Sequence, residues 1–156
     1  TRSIPVNGRY TKRQRAVYDA VLRVFRYASS RLVVGNVWDE YHVEVGTFME
    51  KELVDLGLLT TEDIKKQDPD LPAYKKYFPH GTSHFLGLDV HDVGNKYRRF
   101  EAGMVFTCEP GIYIPEEGLG IRLENNILIT AEGNRDLMGH IPIEAEEIED
   151  LMNSQN

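Results

Sequence analysis

Three of the protein's five histidines lie close together, at His80, His84 and His91. Gly81, Gly87 and Asp89 stand between them, and Asp92 and Gly94 follow directly. Glycines at such intervals are too close for a stable helix, so the three imidazoles do not form one helical face. On a straight strand His84 and His91 would point to opposite sides, because side chains alternate along a strand. A kink near Gly87 would turn both to one side, and the sequence therefore predicts a concave polar pocket here.

Two later stretches each supply a carboxylate. Residues 104–108 are apolar and predict a buried strand that ends at Glu109, and residues 120–129 alternate as one strand that carries Glu124. Both acids are expected on strands, which hold a side chain more firmly than loops do. One imidazole with two carboxylates suits manganese, cobalt, zinc or iron better than an ion that prefers thiolates. The pattern therefore predicts a site for a divalent metal ion.

The same segments resemble a known family. The runs HGTSHFLGLDVHDVG (80–94), TCEPGIYI (107–114) and GIRLENNILIT (120–130) are similar in order and spacing to the C-terminal half of the pita-bread metallopeptidases, most of all aminopeptidase P. That family removes an N-terminal residue that precedes proline. The resemblance covers roughly the last half of the chain, and it implies metal-dependent hydrolysis of the peptide bond between an N-terminal residue and proline.

The resemblance also implies a role for each matching residue. The family's metal ligands match three residues: His84, Glu109 and Glu124. Glu109 also matches the catalytic group that moves a proton from water towards the leaving nitrogen. His80 and His91 match histidines that bind substrate and assist catalysis, and Arg122 matches an arginine that supports the metal-site carboxylates.

Two acidic ligands of that family have no counterpart in the sequence, since they stand upstream of a Thr-Arg pair like Thr1-Arg2. We therefore expect residues 1–156 to form a single domain, the C-terminal fragment of a catalytic domain without its N-terminal half. The complete site is expected to hold two Mn²⁺ ions, with Co²⁺, Zn²⁺ or Fe²⁺ as alternatives. The fragment itself is expected to bind at most one ion weakly and to show little or no peptidase activity.

The elements that would position these residues follow from the spacing of apolar side chains. Thr11 and Gln14 fit a capping box that starts an amphipathic helix of about five turns. A second helical pattern ends at Gly57, and a short polar helix starts at Thr61. The chain after Pro79 is mostly strands with glycine turns. The sequence thus predicts an α+β fold in which helices pack on a curved antiparallel sheet.

Composition excludes several classes of partner. The chain has 18 basic and 25 acidic residues and a net charge of -7, so it would repel a nucleic-acid backbone. No apolar run approaches the length that crosses a membrane. The single cysteine, Cys108, is compatible with a reducing compartment. We expect a cytoplasmic protein that binds neither nucleic acid nor membrane. Its expected partners are a peptide with proline at the second position and either a second copy of the chain or the missing N-terminal half.

Other readings of the same residues stay open. One is a pita-bread protein that has lost catalysis and serves as a binding module, and another is an Xaa-Pro dipeptidase. A third is a mononuclear iron oxygenase that uses His80, His84 and a carboxylate, although the glycines argue against the helix that this would need. Taken alone, the histidines could also form a structural hydrogen-bond network, and Arg122 with Glu124 could be the solvated face of a half-buried strand.

Overall fold

The computed structural model describes residues 1–154 of the 156-residue chain. The α-helices of that range are α1 (Lys12–Arg31), α2 (Trp38–Asp55), α3 (Thr61–Lys65) and α4 (Ala145–Asn153). The strands are β1 (Val105–Cys108), β2 (Gly111–Ile114), β3 (Leu119–Arg122), β4 (Asn125–Thr130) and β5 (Gly133–Asp136). Short 3₁₀ helices span Ala73–Lys76 and Pro115–Glu117. The predicted α+β class is confirmed.

The first three helices begin and end near the predicted positions. The Thr11 hydroxyl accepts a hydrogen bond from the Gln14 amide at 3.2 Å, and the Gln14 side chain accepts one from the Thr11 amide at 2.9 Å. This reciprocal pairing satisfies amides that have no partner inside the helix, so α1 starts at the next residue. Helix α2 ends at Asp55, shortly before Gly57, whose φ of 72° is a left-handed conformation that favours glycine.

Helix α4 was not predicted from the sequence, because it is short and most of its residues are acidic or polar. Its N-terminus has its own capping box, formed between Glu144 and Glu147. Its apolar stripe is narrow, with Ala145 and Ile148 buried. A helix of this length is marginal in isolation, so packing beside α1 is what stabilises it.

No helix among residues 1–154 is both long enough and apolar enough to cross a membrane.

The strands form two antiparallel sheets, and one bent hairpin runs through both. Strands β1 and β2 form one arm of this hairpin, and β3 and β4 form the other. A three-stranded sheet has the order β1-β4-β5, and β2 pairs with β3 in a two-stranded sheet. The prediction of one continuous strand over residues 120–129 is therefore wrong, since the chain changes sheet between Arg122 and Asn125. The opposite arm is interrupted between β1 and β2, at Pro110, which has no N–H to donate to a strand ladder. The Pro110 carbonyl bridges the break by accepting from the Leu123 amide at 3.3 Å.

An aromatic cluster fills the space between α2 and the three-stranded sheet. The ring of Trp38 stacks on Phe85 with centroids 5.3 Å apart, and it meets Phe106 edge-on at 5.4 Å. Trp38, Phe100 and Phe106 are buried. Below them the hydroxyls of Tyr41 and Ser83 lie 2.8 Å apart, in a hydrogen bond that joins α2 to the histidine segment. The core therefore fixes the floor on which the candidate site rests.

Candidate metal centre

The two carboxylates stand at the joints between the sheets. Glu109 lies between β1 and β2, and Glu124 lies between β3 and β4. The expectation that both acids sit within strands is therefore wrong, because the ladder stops at each of them. The joints are nevertheless held firmly. The Glu109 amide donates to the Thr82 carbonyl at 2.8 Å, and Cys108 pairs with Asn125 in the adjoining ladder. Both carboxylates thus leave the chain at the bend between the two sheets.

His84 is held against β1 like the residue of an added strand. Its amide donates to the Thr107 hydroxyl at 3.0 Å, and its carbonyl accepts from the Thr107 amide at 3.1 Å. The next residue, Phe85, forms an isolated bridge with Phe106. Backbone pairing on this scale leaves the imidazole little freedom of position.

The three predicted ligands converge. His84, Glu109 and Glu124 each offer a ligand atom, these atoms lie within 4.8 Å of one another, and the side chains are half-buried. His84 Nδ1 lies 2.7 Å from the Phe85 carbonyl oxygen, and because a carbonyl only accepts, Nδ1 is the donor. In the neutral ring Nε2 then carries a lone pair, and it faces Glu109 Oε1 at 3.5 Å. Two acceptors that face each other in this way are suited to hold a cation between them.

The electrostatics of the acids favour a cation. Burial raises the pKa of the Glu109 carboxyl above its ordinary value, and the nearby Glu124 carboxylate raises it further. His84, His80 and Arg122 act in the opposite direction. Burial and a neighbouring like charge destabilise the ionised carboxylate, and a bound positive ion would stabilise it. The donor set of one imidazole and two carboxylates therefore fits a divalent metal ion.

Arg122 lies on the rim of this cluster. One of its terminal nitrogens, Nη2, is 3.6 Å from Glu124 Oε2. Its Nε is buried and has no hydrogen-bond partner among residues 1–154. A buried donor without a partner is costly, so this N–H is available to a carboxylate or to a ligand in the cleft.

His91 reaches the cluster by a different route from the one expected. Residues 86–95 form no strand, so the predicted kinked strand is wrong and an irregular loop takes its place. The Asp92 amide donates to the Phe85 carbonyl at 3.1 Å, which folds the loop back. At Gly87 a Cβ would lie 2.2 Å from Asp92 Oδ2, so a side chain there would have to displace the Asp92 carboxylate. The ring centroids of His84 and His91 are consequently 4.3 Å apart.

His80 has a partner that the sequence reasoning missed. Its Nδ1 lies 2.9 Å from the Gly81 carbonyl oxygen and is therefore the donor. Its Nε2 lies 2.8 Å from the Tyr113 hydroxyl, which donates to the neutral ring. Tyr113 stands four residues after Glu109 on the adjoining strand. Its place in TCEPGIYI was the available signal.

Two further residues were missed because they are remote in sequence. The Thr1 hydroxyl donates to Glu124 Oε2 at 2.6 Å. The Arg2 guanidinium donates to the Asn125 side-chain oxygen at 2.8 Å and to the Glu124 carbonyl at 3.2 Å. These bonds span more than a hundred residues of chain, and no local pattern indicates them.

The cluster opens into a cleft with a volume of about 430 Å³. Its wall includes five of the predicted residues, namely His80, His84, His91, Glu109 and Arg122. Helix α2 contributes Trp38 and His42 to the same wall, and the loop contributes Lys96. A lone histidine on a helix carries no spacing signal, so the sequence did not indicate that His42 would line the cleft.

The curved sheet, its covering helices and the imidazole–carboxylate donor set define a candidate metallohydrolase. Residues 1–131 match the model of metallopeptidase family M24, and the chain belongs to that family.

Individual relatives agree with this assignment. The chain is 43% identical to an Xaa-Pro aminopeptidase of Haemophilus influenzae over 98% of its own length and 38% of the relative. It is 42% identical to the Escherichia coli enzyme of the same name, over 97% of the chain and 37% of the relative. The chain thus spans less than two-fifths of these relatives, and it matches their C-terminal part.

Solved structures confirm the predicted pita-bread fold. Zinc-substituted E. coli aminopeptidase P in complex with product matches with a TM-score of 0.88 and 40% identity, over 99% of this chain and 38% of that one. Proline aminopeptidase P II from Yersinia pestis matches with a TM-score of 0.87 and 40% identity, over 99% of this chain and 38% of that one. The resemblance to aminopeptidase P is therefore confirmed.

Proposed function

We propose that this chain is the metal-ligating part of an Xaa-Pro aminopeptidase, which hydrolyses the peptide bond between an N-terminal residue and proline. The observation that carries the proposal is the convergence of ligand atoms from His84, Glu109 and Glu124 within 4.8 Å. The substrate class is supported by the names of the relatives, which are Xaa-Pro aminopeptidases. A cytoplasmic location belongs to the same proposal.

The ligands divide the chemical work. A divalent ion held by His84, Glu109 and Glu124 would supply a water of lowered pKa and would polarise the carbonyl of the peptide bond. Glu109 takes the proton of the attacking water and passes it to the leaving nitrogen.

The side chains around the metal ligands bind the substrate and orient the ligand carboxylates. His91 donates to the carbonyl oxygen of the substrate as negative charge develops there. His80 holds the substrate, and the Tyr113 hydroxyl fixes its ring from behind at 2.8 Å. Arg122 orients the Glu124 carboxylate from 3.6 Å and so supports the ligand geometry.

The described donors fall short of a two-metal centre. Two divalent ions carry four positive charges, and the group within residues 1–154 offers two carboxylates and one imidazole. We therefore propose that residues 1–156 are one domain that makes up the C-terminal portion of the catalytic unit. Alone it binds at most one ion, with Mn²⁺ as the first candidate, and has little or no activity. The N-terminal half, or a second copy of the chain, would supply the remaining ligands.

Metal titration by calorimetry together with a cleavage assay on an Xaa-Pro peptide tests this proposal. We expect weak binding of one Mn²⁺ per chain, lost in His84→Ala, with cleavage near background. His140→Ala is the matched control, because His140 is exposed and lies outside the donor group. Absence of any metal binding to His84 would contradict the proposed site. Tight binding of two ions with full turnover would contradict the proposed incompleteness of the site.

A further inference from the structure

The first three residues lie beside the joint that carries Glu124. The Glu124 amide donates to the Thr1 carbonyl at 3.1 Å. Two residues further along, the Ser3 hydroxyl donates to the Arg122 carbonyl at 3.2 Å and accepts from the Arg122 amide at 3.0 Å. Residues 1–3 therefore lie in a fixed register against the stretch in which the chain changes sheet.

Thr1 contacts the carboxylate of Glu124 directly. Its hydroxyl donates to Glu124 Oε2 at 2.6 Å, a length typical of a hydrogen bond to an ionised carboxylate. The guanidinium of Arg122 reaches the same oxygen only at 3.6 Å, which is an attraction between charges rather than a hydrogen bond. Thr1 thus adds a directional bond that fixes how the carboxylate is turned.

Arg2 holds the main chain on which Glu124 stands. Its Nη1 donates to the Glu124 carbonyl at 3.2 Å and to the Asn125 side-chain oxygen at 2.8 Å. Its Nε donates to the Pro142 carbonyl at 2.7 Å, so the guanidinium joins the sheets to the segment before α4. A planar guanidinium presents these donors in a fixed fork, which the single ammonium group of a lysine does not reproduce.

Asn125 links this bonding to the second carboxylate. It is 3% exposed, and its side-chain nitrogen donates to Asp136 Oδ2 on β5 at 2.7 Å. Its partner in the strand ladder is Cys108, the residue directly before Glu109. The Asn125 main chain therefore stands beside both acids, and a change at Arg2 should alter the spacing between the two carboxylates.

We propose that Thr1 and Arg2 are positioning residues for the metal ligands. Thr1 holds the Glu124 carboxylate through its hydroxyl, and Arg2 holds the joint between the sheets through its guanidinium. Neither residue belongs to the group of candidate ligands, so both act through Glu124 and its neighbour. Hydrogen bonds of this kind orient ligands at protein metal sites. The inference rests on the proposed function and extends it to residues that support the metal site.

Substitutions at Thr1 test the hydroxyl in the 156-residue chain. Thr1→Val keeps the size of the side chain and removes the hydroxyl, and Thr1→Ser restores it. In calorimetric titrations with Mn²⁺ we expect Thr1→Val to bind about tenfold more weakly than the parent, and Thr1→Ser to stay within about threefold of it. Tenfold is the lower end of the usual range for groups that support a ligand, and it suits a hydrogen bond that is exposed to solvent.

Arg2→Lys tests the guanidinium, because it keeps the positive charge and removes the fork of donors. We expect it too to weaken Mn²⁺ binding about tenfold. Two matched controls should bind Mn²⁺ as the parent does. Thr47→Val removes a hydroxyl that bonds the Val43 carbonyl of its own helix at 2.9 Å, and Arg9→Lys changes an exposed guanidinium before α1.

A second measurement needs no metal. The ¹³C NMR signal of the Glu124 carboxyl should shift in Thr1→Val and stay in place in Thr1→Ser and in Thr47→Val, because the Thr1 hydroxyl donates to that group. Urea unfolding should give Thr1→Val the same midpoint as the parent, which separates positioning from a general loss of stability.

The inference is overturned if Thr1→Val binds Mn²⁺ like the parent, if Thr1→Ser does not restore the affinity, or if Thr47→Val weakens binding as much. An unchanged Glu124 carboxyl signal in Thr1→Val would also overturn it, and Arg2→Lys binding like Arg9→Lys would remove Arg2 from it. A parent chain that binds no Mn²⁺ would instead reject the proposed function, and the carboxyl signal would still decide whether Thr1 positions Glu124.

Discussion

The metal-ligand cluster and the loop that carries His91 lie side by side but are held in place very differently. The backbone of His84 is bonded to Thr107 of β1 at 3.1 Å, and the backbone of Glu109 is bonded to Thr82 at 2.8 Å. In the loop, by contrast, Leu88 and Val93 are 104% and 93% exposed. Segments with few buried contacts open at low free-energy cost. The comparison indicates a firmly held set of candidate ligands beside a loop whose few buried contacts allow it to adjust.

The two regions should differ most in how much the free energy of unfolding falls when one apolar side chain is truncated. Phe106→Ala removes a fully buried ring beneath the site and should lower the free energy of unfolding by about 3–5 kcal/mol. Leu88→Ala removes an exposed side chain from the loop and should change that free energy by less than about 0.5 kcal/mol. Urea unfolding of both variants measures the difference. Similar losses would mean that the loop is as well packed as the sheet.

The second-largest difference is expected in metal affinity, which should fall more for a change in the metal-ligand cluster than for a change in the loop. Groups that merely support a metal ligand change affinity by about 10–100-fold, so loss of a ligand in Glu124→Gln should exceed the upper end of that range. His91→Ala, in the loop, should change it less than about threefold, because His91 is outside the donor group. Calorimetric titration with Mn²⁺ gives both values. Equal effects would assign His91 to the metal.

A methyl group at Gly87 tests how the loop is folded. The Cβ would lie 2.2 Å from Asp92 Oδ2, so Gly87→Ala must displace the Asp92 side chain, which bonds the Val93 amide of the loop at 2.7 Å, at a cost of about 1–3 kcal/mol if that side chain cannot turn away. We expect the NMR signals of His91 to shift and those of His84 to stay. Gly139→Ala is the control, because its Cβ would meet ordinary contacts of 3.5 Å or more. Equal shifts of both histidines would contradict the independence of the two regions.

The smallest predicted effect is a pH dependence that arises at His42. Its pKa is lowered in the folded protein, so the unfolded chain binds more protons at pH values below the ordinary 6.5. Stability should therefore be lost as the pH falls from about 7 to about 5.5. His42→Gln should lose less over this range. Urea midpoints at the two pH values measure the difference, and a variant that loses as much as the parent would exclude His42 as a source.

Local patterns predicted much of this molecule. The capping box at Thr11 marked the start of α1 within one residue, because it involves neighbouring amides only. The long runs around His84, Glu109 and Glu124 were enough to indicate a metallopeptidase. Helix α4 escaped prediction because its stability comes from packing on α1 rather than from its own short apolar stripe.

What the sequence determined by itself was which residue types are present in which order: a histidine run, two acids that end apolar segments, and the helices before them. The tertiary structure alone decided that residues 120–129 divide between two sheets, because Pro110 interrupts the partner strand from across the hairpin. It also decided that Tyr113 supports His80 and that His42 faces the cleft. These relations depend on distances between segments far apart in the chain, which local spacing does not encode.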